Sequence, residues 1–446
     1  MNLPLNIIKN RLFKPVDIAI LVYFRILGAS LMAGELINSI FLGDIDKYDA
    51  ADFHFSYQFF PWLDPWNTYG LYAHYSITII AGFMVAAGMF YRYTTIIFFL
   101  GFTSLFLMEE ADYINHTYLY CLISFWMIFL PLNKAFSFDA IRKPNIIISY
   151  APAWCYYLLL FQMSLVYFYA GVAKLNYDWL RGIPMNMVLP YQGDTFLLGP
   201  LLILPGANYV MSYMGLAFDL LIVPILLWKE TRIYGLVFAL IFHLSNVLIF
   251  GLATFPWFSI MMTSLFFDPS WPRKIPIFRN YLPPLSLDYI PSLSMFKRKL
   301  IMYSLAIYAF LQIVVPLRHW LYPGNVNWTE EGHYFSWRMM LRGKTGYITY
   351  NITISETDST FAESPLDHIT THHYNDLISK PDLIIQYAHF LAEKYQHLSD
   401  DRVKVLASTN VSLNGRPDQP IVDPLVDLAA ERRSLKHYPW IEPLKQ

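Results

Sequence analysis

Lys174 closes an apolar stretch, in Tyr169-Ala170-Gly171-Val172-Ala173-Lys174-Leu175-Asn176-Tyr177-Asp178-Trp179. An ionisable group at membrane depth costs about 2.5–3.5 kcal/mol on insertion scales, so such groups mark candidate functional sites. A lysine in an apolar pocket loses solvation of its ammonium, which favours the neutral amine. A neutral amine can then remove a proton near neutral pH. The structural alternative is a lysine that snorkels to the interface and anchors its helix. Gly171 admits close approach of another helix or a ligand.

Asn115 and His116 open another apolar stretch, after Glu109-Glu110-Ala111-Asp112-Tyr113-Ile114. Histidine is a ready acid or base near neutral pH. Its structural alternative is an exposed ring beside Asn115 as a helix cap, with Glu109, Glu110 and Asp112 as a solvated acidic rim. Asp219 lies inside an apolar stretch, and His243 and Asn246 lie one turn apart on the next. Interhelical hydrogen bonding accounts for these three ahead of catalysis. Arg25 and Glu35, in the first stretch, read as structural for the same reason.

These residues need a bilayer to make sense. The chain has 446 residues, 56% hydrophobic and only 15% charged, against about 25% charged in soluble domains. A spanning helix takes roughly 20 apolar residues. Nine stretches are candidates: 16–41, 70–90, 93–108, 116–132, 154–173, 208–228, 231–250, 252–267 and 299–317. The third, fourth and eighth are short. Lys9, Arg11 and Lys14 precede the first stretch as in a signal peptide, but its length and the lack of a small-residue cleavage site favour an uncleaved helix.

With the N-terminus inside, Lys and Arg gather in the inner loops, such as Arg142, Lys143, Arg273, Lys274 and Lys297 to Lys299. The outer loops hold Lys47, Lys174 and Arg181, and the first of them is acidic, with Asp44, Asp46, Asp49, Asp52 and Asp64. This follows the positive-inside rule. It puts Lys174, His116 and the C-terminal region on the outer side: periplasmic, extracellular or lumenal. Phe53 to Trp66, rich in aromatics and prolines, suits the outer interface. Leu197 to Leu204 is too short to span and reads as re-entrant or as a cavity cap.

From about residue 318 the chain turns polar. Tyr347 to Ile354 alternates like a strand. Pro381 to Tyr395 has helical spacing, with Ile384, Ile385, Ala388, Leu391 and Ala392 on one face and Pro381 suited to the first position. Val403 to Leu413 reads as a second strand before the turn Asn414-Gly415. The expected fold is a membrane all-α bundle of about nine helices (residues 1–317) with a small α+β soluble domain (318–446). A net charge of -1 gives no global field toward nucleic acid. The two cysteines, Cys121 and Cys155, sit in apolar runs and read as core residues. No cysteine and histidine spacing suggests a metal site.

Several segments, in this order, resemble the vitamin K-dependent gamma-glutamyl carboxylase family, whose membrane module is the HTTM domain. They are Tyr113 to Tyr120 with Phe136-Ser137-Phe138-Asp139-Ala140, then Tyr167 to Trp179, then Phe242 to Asn246 with Phe267 to Pro272. The C-terminal region adds Asn327-Trp328-Thr329, Tyr334 to Met340, Val422 to Asp427 and Tyr438 to Leu444. The resemblance implies a bacterial member acting on Glu-containing protein or peptide at the bilayer, with reduced vitamin K, O2 and CO2 and no metal. It implies that Lys174 is the base toward vitamin K hydroquinone, that His116 assists, and that Asn115, His243, Asn246, Trp337, Arg342 and Lys344 contact substrates. In that family, oxidation of the hydroquinone to its epoxide supplies the energy to deprotonate the γ-carbon. No side chain could do so, since even arginine has a pKa of only about 12.5–13.8.

The chain departs from the family pattern at three places. Ala173 replaces the first of two lysines, Glu109-Glu110-Ala111 replaces Asp-Lys-Thr, and Arg342-Gly343-Lys344 stands where His-Ser-Arg is held to contact glutamate. Two cations can still hold a carboxylate. Two other readings remain: a quinone-linked oxygenase or epoxidase without carboxylation, and a non-enzymatic membrane receptor or export partner. A transporter is disfavoured, because no matched pair of Gly/Pro-broken spans is present.

Overall fold

The computed structural model describes residues 10–285, 293–354, 359–398 and 402–445. A short antiparallel ladder, β1 (Pro15–Asp17) with β2 (Tyr150–Pro152), ties the entries of two long helices together. Those helices are α1 (Ala19–Phe41) and, further on, α5 (Ala153–Lys174). Between them run α2 (Thr68–Ala87), α3 (Tyr91–Leu107) and α4 (Asn115–Met127). Then come α6 (Ala207–Leu227), α7 (Arg232–Phe250), α8 (Phe255–Ser264) and α9 (Met295–Val314).

Helices thus stand at all nine expected places, but six are long and apolar enough to cross a bilayer. These are α1, α2, α5, α6, α7 and α9, the last continued by a 3-10 turn to Leu321. The expected nine spans are not confirmed: the short members α3 (Tyr91–Leu107), α4 and α8 fall outside the six. At 1.5 Å per residue, the 13-residue α4 rises about 20 Å and the 10-residue α8 about 15 Å, below a ~30 Å core. Leu197 to Leu204 contains only the turn Gly199–Leu202 and does not span.

Buried Arg25 on α1 staples one end of the bundle. It donates to the carbonyls of Ala86 (3.0 Å), Leu132 (2.8 Å), Ala135 (3.1 Å) and Phe136. This is the structural role its place in an apolar helix implied, since a guanidinium there needs oxygen partners. Cys121 and Cys155 are free and buried. α9 leans on the bundle through Gln162 Nε2 donating to Gln312 Oε1 at 3.4 Å, the Tyr308 hydroxyl donating to Gln162 Oε1 at 2.5 Å and the packing of Ile301 and Leu305, and exposes Leu300, Tyr303, Ile307 and Phe310. Lipid-facing helices expose such side chains.

The C-terminal region holds a three-stranded antiparallel sheet ordered β4 (Ser359–Glu363), β3 (Lys344–Ile354), β5 (Lys404–Leu413). Two helices, α10 (Thr371–Ser379) and α11 (Pro381–Tyr395), cover one face. Ile384, Ile385, Ala388 and Leu391 of α11 pack on Ile348, Tyr350, Ile352, Val405 and Ala407 of the sheet. Pro381 takes the first turn of α11, as expected. Asn414 (φ 52°) and Gly415 (φ 74°) both have positive φ, the requirement of a tight two-residue turn.

The loops before α4 clamp this region to the bundle. Glu109 and Glu110 are 1% and 4% exposed, so they are not a solvated rim. Glu109 accepts the Phe55 and Ala111 N–H groups at 3.1 Å. Burial pushes its carboxyl up to about 8, with His373 opposing. Glu110 meets Arg433 and accepts from Gln386 at 3.1 Å, while Asp112 meets His372 at 2.9 Å. Phe53 and Phe55 pack under the domain, whereas Phe59, Trp62 and Trp66 of the same aromatic segment are exposed.

Candidate active site

α5 ends at Lys174 because Leu175 leaves helical geometry and Asn176 starts the next short helix, accepting from the Trp179 N–H at 3.0 Å. The Lys174 side chain turns toward α6 and donates from Nζ to Asp219 Oδ2 at 2.6 Å. Both residues are 6% exposed. The Trp179 ring lies 5.0 Å from Nζ and is itself fixed by Nε1 donating to the Ser212 carbonyl at 2.8 Å.

Two glycines make this possible. A Cβ on Gly171 would come within 2.6 Å of Leu220 Cδ2 and 3.2 Å of Asp219 Cβ, so only glycine lets α6 bring Asp219 this close. A Cβ on Gly215 would lie 3.3 Å from Trp179 and 3.9 Å from Lys174 Cε. Trp179, Met185, Leu202 and Leu341 form a small apolar cluster with Ala173 beside the lysine. Leu202 belongs to the segment read as a cavity cap, and Leu341 to the C-terminal region. The Ser212 hydroxyl is buried here without a partner.

Lys174 is therefore neither an interface anchor nor a lone ammonium in an apolar pocket. The sequence places its partner Asp219 as interhelical glue, and the signal that identifies it is elementary: a carboxylate inside a span needs a cation.

His116 stands in a second centre. Its Nε2 meets Glu35 Oε1 of α1 at 3.2 Å, and Glu35 Oε2 accepts from the Thr254 hydroxyl. The ring stacks on Phe255 with centroids 5.3 Å apart. A carboxylate on Nε2 fixes the imidazole's orientation and proton position. No hydrogen bond or ion pair among the described residues joins this centre to Lys174.

Asn115 is the first residue of α4, while Ile114 takes the cap position without a side-chain bond. The capping alternative fails because the amide is used elsewhere. Asn115 Nδ2 donates to the Arg338 carbonyl at 3.0 Å and Oδ1 accepts from the Tyr113 hydroxyl at 3.1 Å. His243 is buried, its Nε2 3.0 Å from the Tyr167 hydroxyl, with Phe218 edge-on. Asn246, one turn further on the same helix, is partly buried, and its side chain has no hydrogen bond among the described residues.

The segment over these centres is strained. Glu330, Phe335, Trp337 and Met340 have φ of 61°, 58°, 58° and 58°. Each left-handed residue costs roughly 1–2 kcal/mol, so the surroundings must impose the path. Trp337 is fully buried with its ring 5.0 Å from that of Tyr118, and the Phe335 N–H donates to the Tyr113 hydroxyl at 2.7 Å.

Arg342 and Lys344 do hold a carboxylate, but it is the chain's own. Arg342 Nε donates to Glu330, and Lys344 Nζ lies 3.0 Å from the same oxygen. Lys344 also donates to the Trp328 and Ser379 carbonyls at 2.7 and 2.6 Å. Burial disfavours the Glu330 charge, yet Arg342 and Lys344 outweigh it and hold the carboxyl well below the usual range. Burial pushes the Lys344 ammonium down to about 8 against the pull of Glu330.

A cavity of about 1360 Å³ separates the C-terminal region from the end of α5. Tyr169, Ala173 and Asn176 line its bundle side, and Trp328 and Arg338 its far side. Asp178 at its edge receives both Arg416 nitrogens, at 2.6 and 2.8 Å, and Asn414 Nδ2 at 2.8 Å. The turn after β5 is thereby pinned four residues beyond Lys174. Among the described residues, no cluster of three or more His, Cys, Asp or Glu side chains is arranged to hold a metal.

Residues 13–271 match the family model of the HTTM domain. Residues 297–446 match that of the vitamin K-dependent gamma-carboxylase lumenal domain. No solved structure matches the chain.

Proposed function

We propose, since the chain belongs to the vitamin K-dependent gamma-glutamyl carboxylase family, that it is a membrane enzyme that adds CO2 to the γ-carbon of protein glutamates. In this reading it couples that step to oxidation of a vitamin K hydroquinone to its epoxide by O2. The observation that carries the reading is the buried pair of Lys174 and Asp219 beside an aromatic ring.

The residues around the pair fit an aromatic diol. Trp179 offers a face, Gly215 leaves room, and the buried, unpartnered Ser212 hydroxyl offers a hydrogen bond. When bound, the hydroquinone supplies, on oxidation, the driving force that no side chain has. Lys174 Nζ, with Asp219 Oδ2 at 2.6 Å, would be the group that takes a proton from a bound hydroxyl, so that an ammonium faces the oxygen. Such a pre-set charge acts strongly because water is excluded. His116, oriented by Glu35, supplies a second proton-handling group.

The reading divides the chain at about residue 317 into a bundle that shelters the quinone and a domain that presents glutamate. The loop charges support a cytoplasmic N-terminus and an outer-side domain. The test is incorporation of labelled bicarbonate into Glu peptides in the presence of a reduced vitamin K. No incorporation across varied peptides and quinones overturns it. One observation favours the epoxidase alternative: Glu330 already occupies the two cations expected to hold substrate. Epoxide formation that ignores Glu peptide would establish that alternative.

A further inference from the structure

Among the described residues lining the cavity, Arg338 is the deeply buried cation that forms no ion pair with an acid. It is 7% exposed. Its Nη2 donates to Asn327 Oδ1 at 2.9 Å, and its Nε has no partner. The other arginines and lysines near it are paired: Arg416 is held by Asp178, and Arg342 and Lys344 by Glu330, while Glu442 also lines the cavity. The contrast with Arg25 is direct, because that buried guanidinium has four carbonyl partners. A guanidinium offers five N–H donors in a fork shaped for a carboxylate. Burying it without an anion is costly, so a site that retains one is prepared for an anionic ligand.

The place of Arg338 says which ligand. It faces a cavity whose other wall is the last turn of the Lys174 helix, through Ala173 and Asn176. Its own backbone carbonyl is held by Asn115, next to His116. The cavity, at about 1360 Å³, is large enough for a peptide segment rather than a lone anion.

We propose that Arg338 binds the γ-carboxylate of the substrate glutamate in this cavity, taking over the task of the two cations that Glu330 neutralises. The proposal rests on the carboxylase reading for its choice of ligand. The subsite binds a carboxylate on a peptide, oriented toward the end of α5.

The test is calorimetric binding to the purified full-length protein in micelles, without quinone or turnover. The probes are a blocked hexapeptide with a central Glu-Glu and its Gln-Gln counterpart. The wild type is expected to prefer the Glu peptide by about tenfold or more. Arg338→Met should abolish that preference, and Arg338→Lys should keep part of it. Asn327→Asp leaves the arginine in place but gives it an internal acid, and should weaken the Glu peptide about tenfold while leaving the Gln peptide unchanged.

Equal binding of the two peptides by the wild type, or an undiminished preference in Arg338→Met or Asn327→Asp, overturns the assignment. So does Arg338-dependent binding of bicarbonate with no Glu-peptide preference. A carboxylating wild type whose Arg338→Met variant keeps its preference refutes this subsite alone. An Arg338-dependent preference without carboxylation upholds the subsite and refutes the reaction.

Discussion

Removing one member of the Lys174–Asp219 pair and then both separates its structural weight from its chemistry. Two unit charges 2.6 Å apart attract by about 6 kcal/mol at an effective dielectric of about 20. Desolvation of both groups offsets much of this, because each is only 6% exposed. Deleting one partner leaves the other buried and uncompensated, which costs about 3–5 kcal/mol. Asp219→Leu and Lys174→Met are each expected to lose about that much in equilibrium unfolding in mixed micelles. The double variant replaces both charges with apolar groups of similar size, so it should recover most of the loss. A coupling energy of at least about 3 kcal/mol is the signature of the pair. The recovered double variant should still form no vitamin K epoxide. Additive losses, or a stable double variant with wild-type epoxidation, would refute the reasoning.

Three further outcomes follow from the contacts between bundle and domain. The Asp112 hydrogen bond raises the His372 pKa above its usual value, so this contact stabilises fully below about pH 6.5 and fades as pH rises through the raised value. The Tm difference between wild type and His372→Gln should therefore shrink in alkaline buffer; a difference constant with pH refutes it. Burial opposes the Asp178 charge, but Arg416 and Asn414 hold its carboxyl below the usual range, so their contribution is present above about pH 3.9 and lost on acidification. Arg416→Ala should cost about 1–3 kcal/mol at neutral pH and expose the Asn414-Gly415 turn to protease, and an unchanged cleavage rate would count against it. Asn115→Ala should cost about 1–3 kcal/mol through the orphaned Arg338 carbonyl, and Asn115→Asp, which cannot donate, should not rescue it in the same unfolding assay.

The long spans were legible because one physical demand, a bilayer's thickness, dominates them. Where that demand is relaxed, reading by apolarity overreached: α4 and α8 are apolar enough to look like spans but are 13 and 10 residues long. The helix 381–395 and the strands starting near 347 and 403 were legible from their periods. Strand 359–363 and helix 371–379 were missed, because five residues carry little pattern and Thr371-His372-His373-Tyr374-Asn375-Asp376 is polar all round. At the site, Lys174 and His116 stood out by type and place. Their partners, Asp219 and Glu35, did not, since a carboxylate 45 residues from its lysine or 81 from its histidine leaves no local trace.

Glu330 shows why the substitutions around it make sense together. Position 342 carries arginine and position 344 lysine, and two cations packed side by side in a buried turn would repel. An internal acid offsets that repulsion, and Glu330, at φ 61°, supplies it. The cluster, with one carboxylate between two cations, then holds the strained path from 330 to 342 and leaves Arg338 facing the cavity without an ion pair. Under the proposal above, Arg338 is the carboxylate receptor over the end of the Lys174 helix. On that logic Glu330→Gln should unsettle the segment without creating a better glutamate site, because Arg342 and Lys344 are then an unpaired, repelling pair sealed from the cavity. A gain of Glu-peptide affinity in Glu330→Gln would instead show that the internal carboxylate competes with substrate.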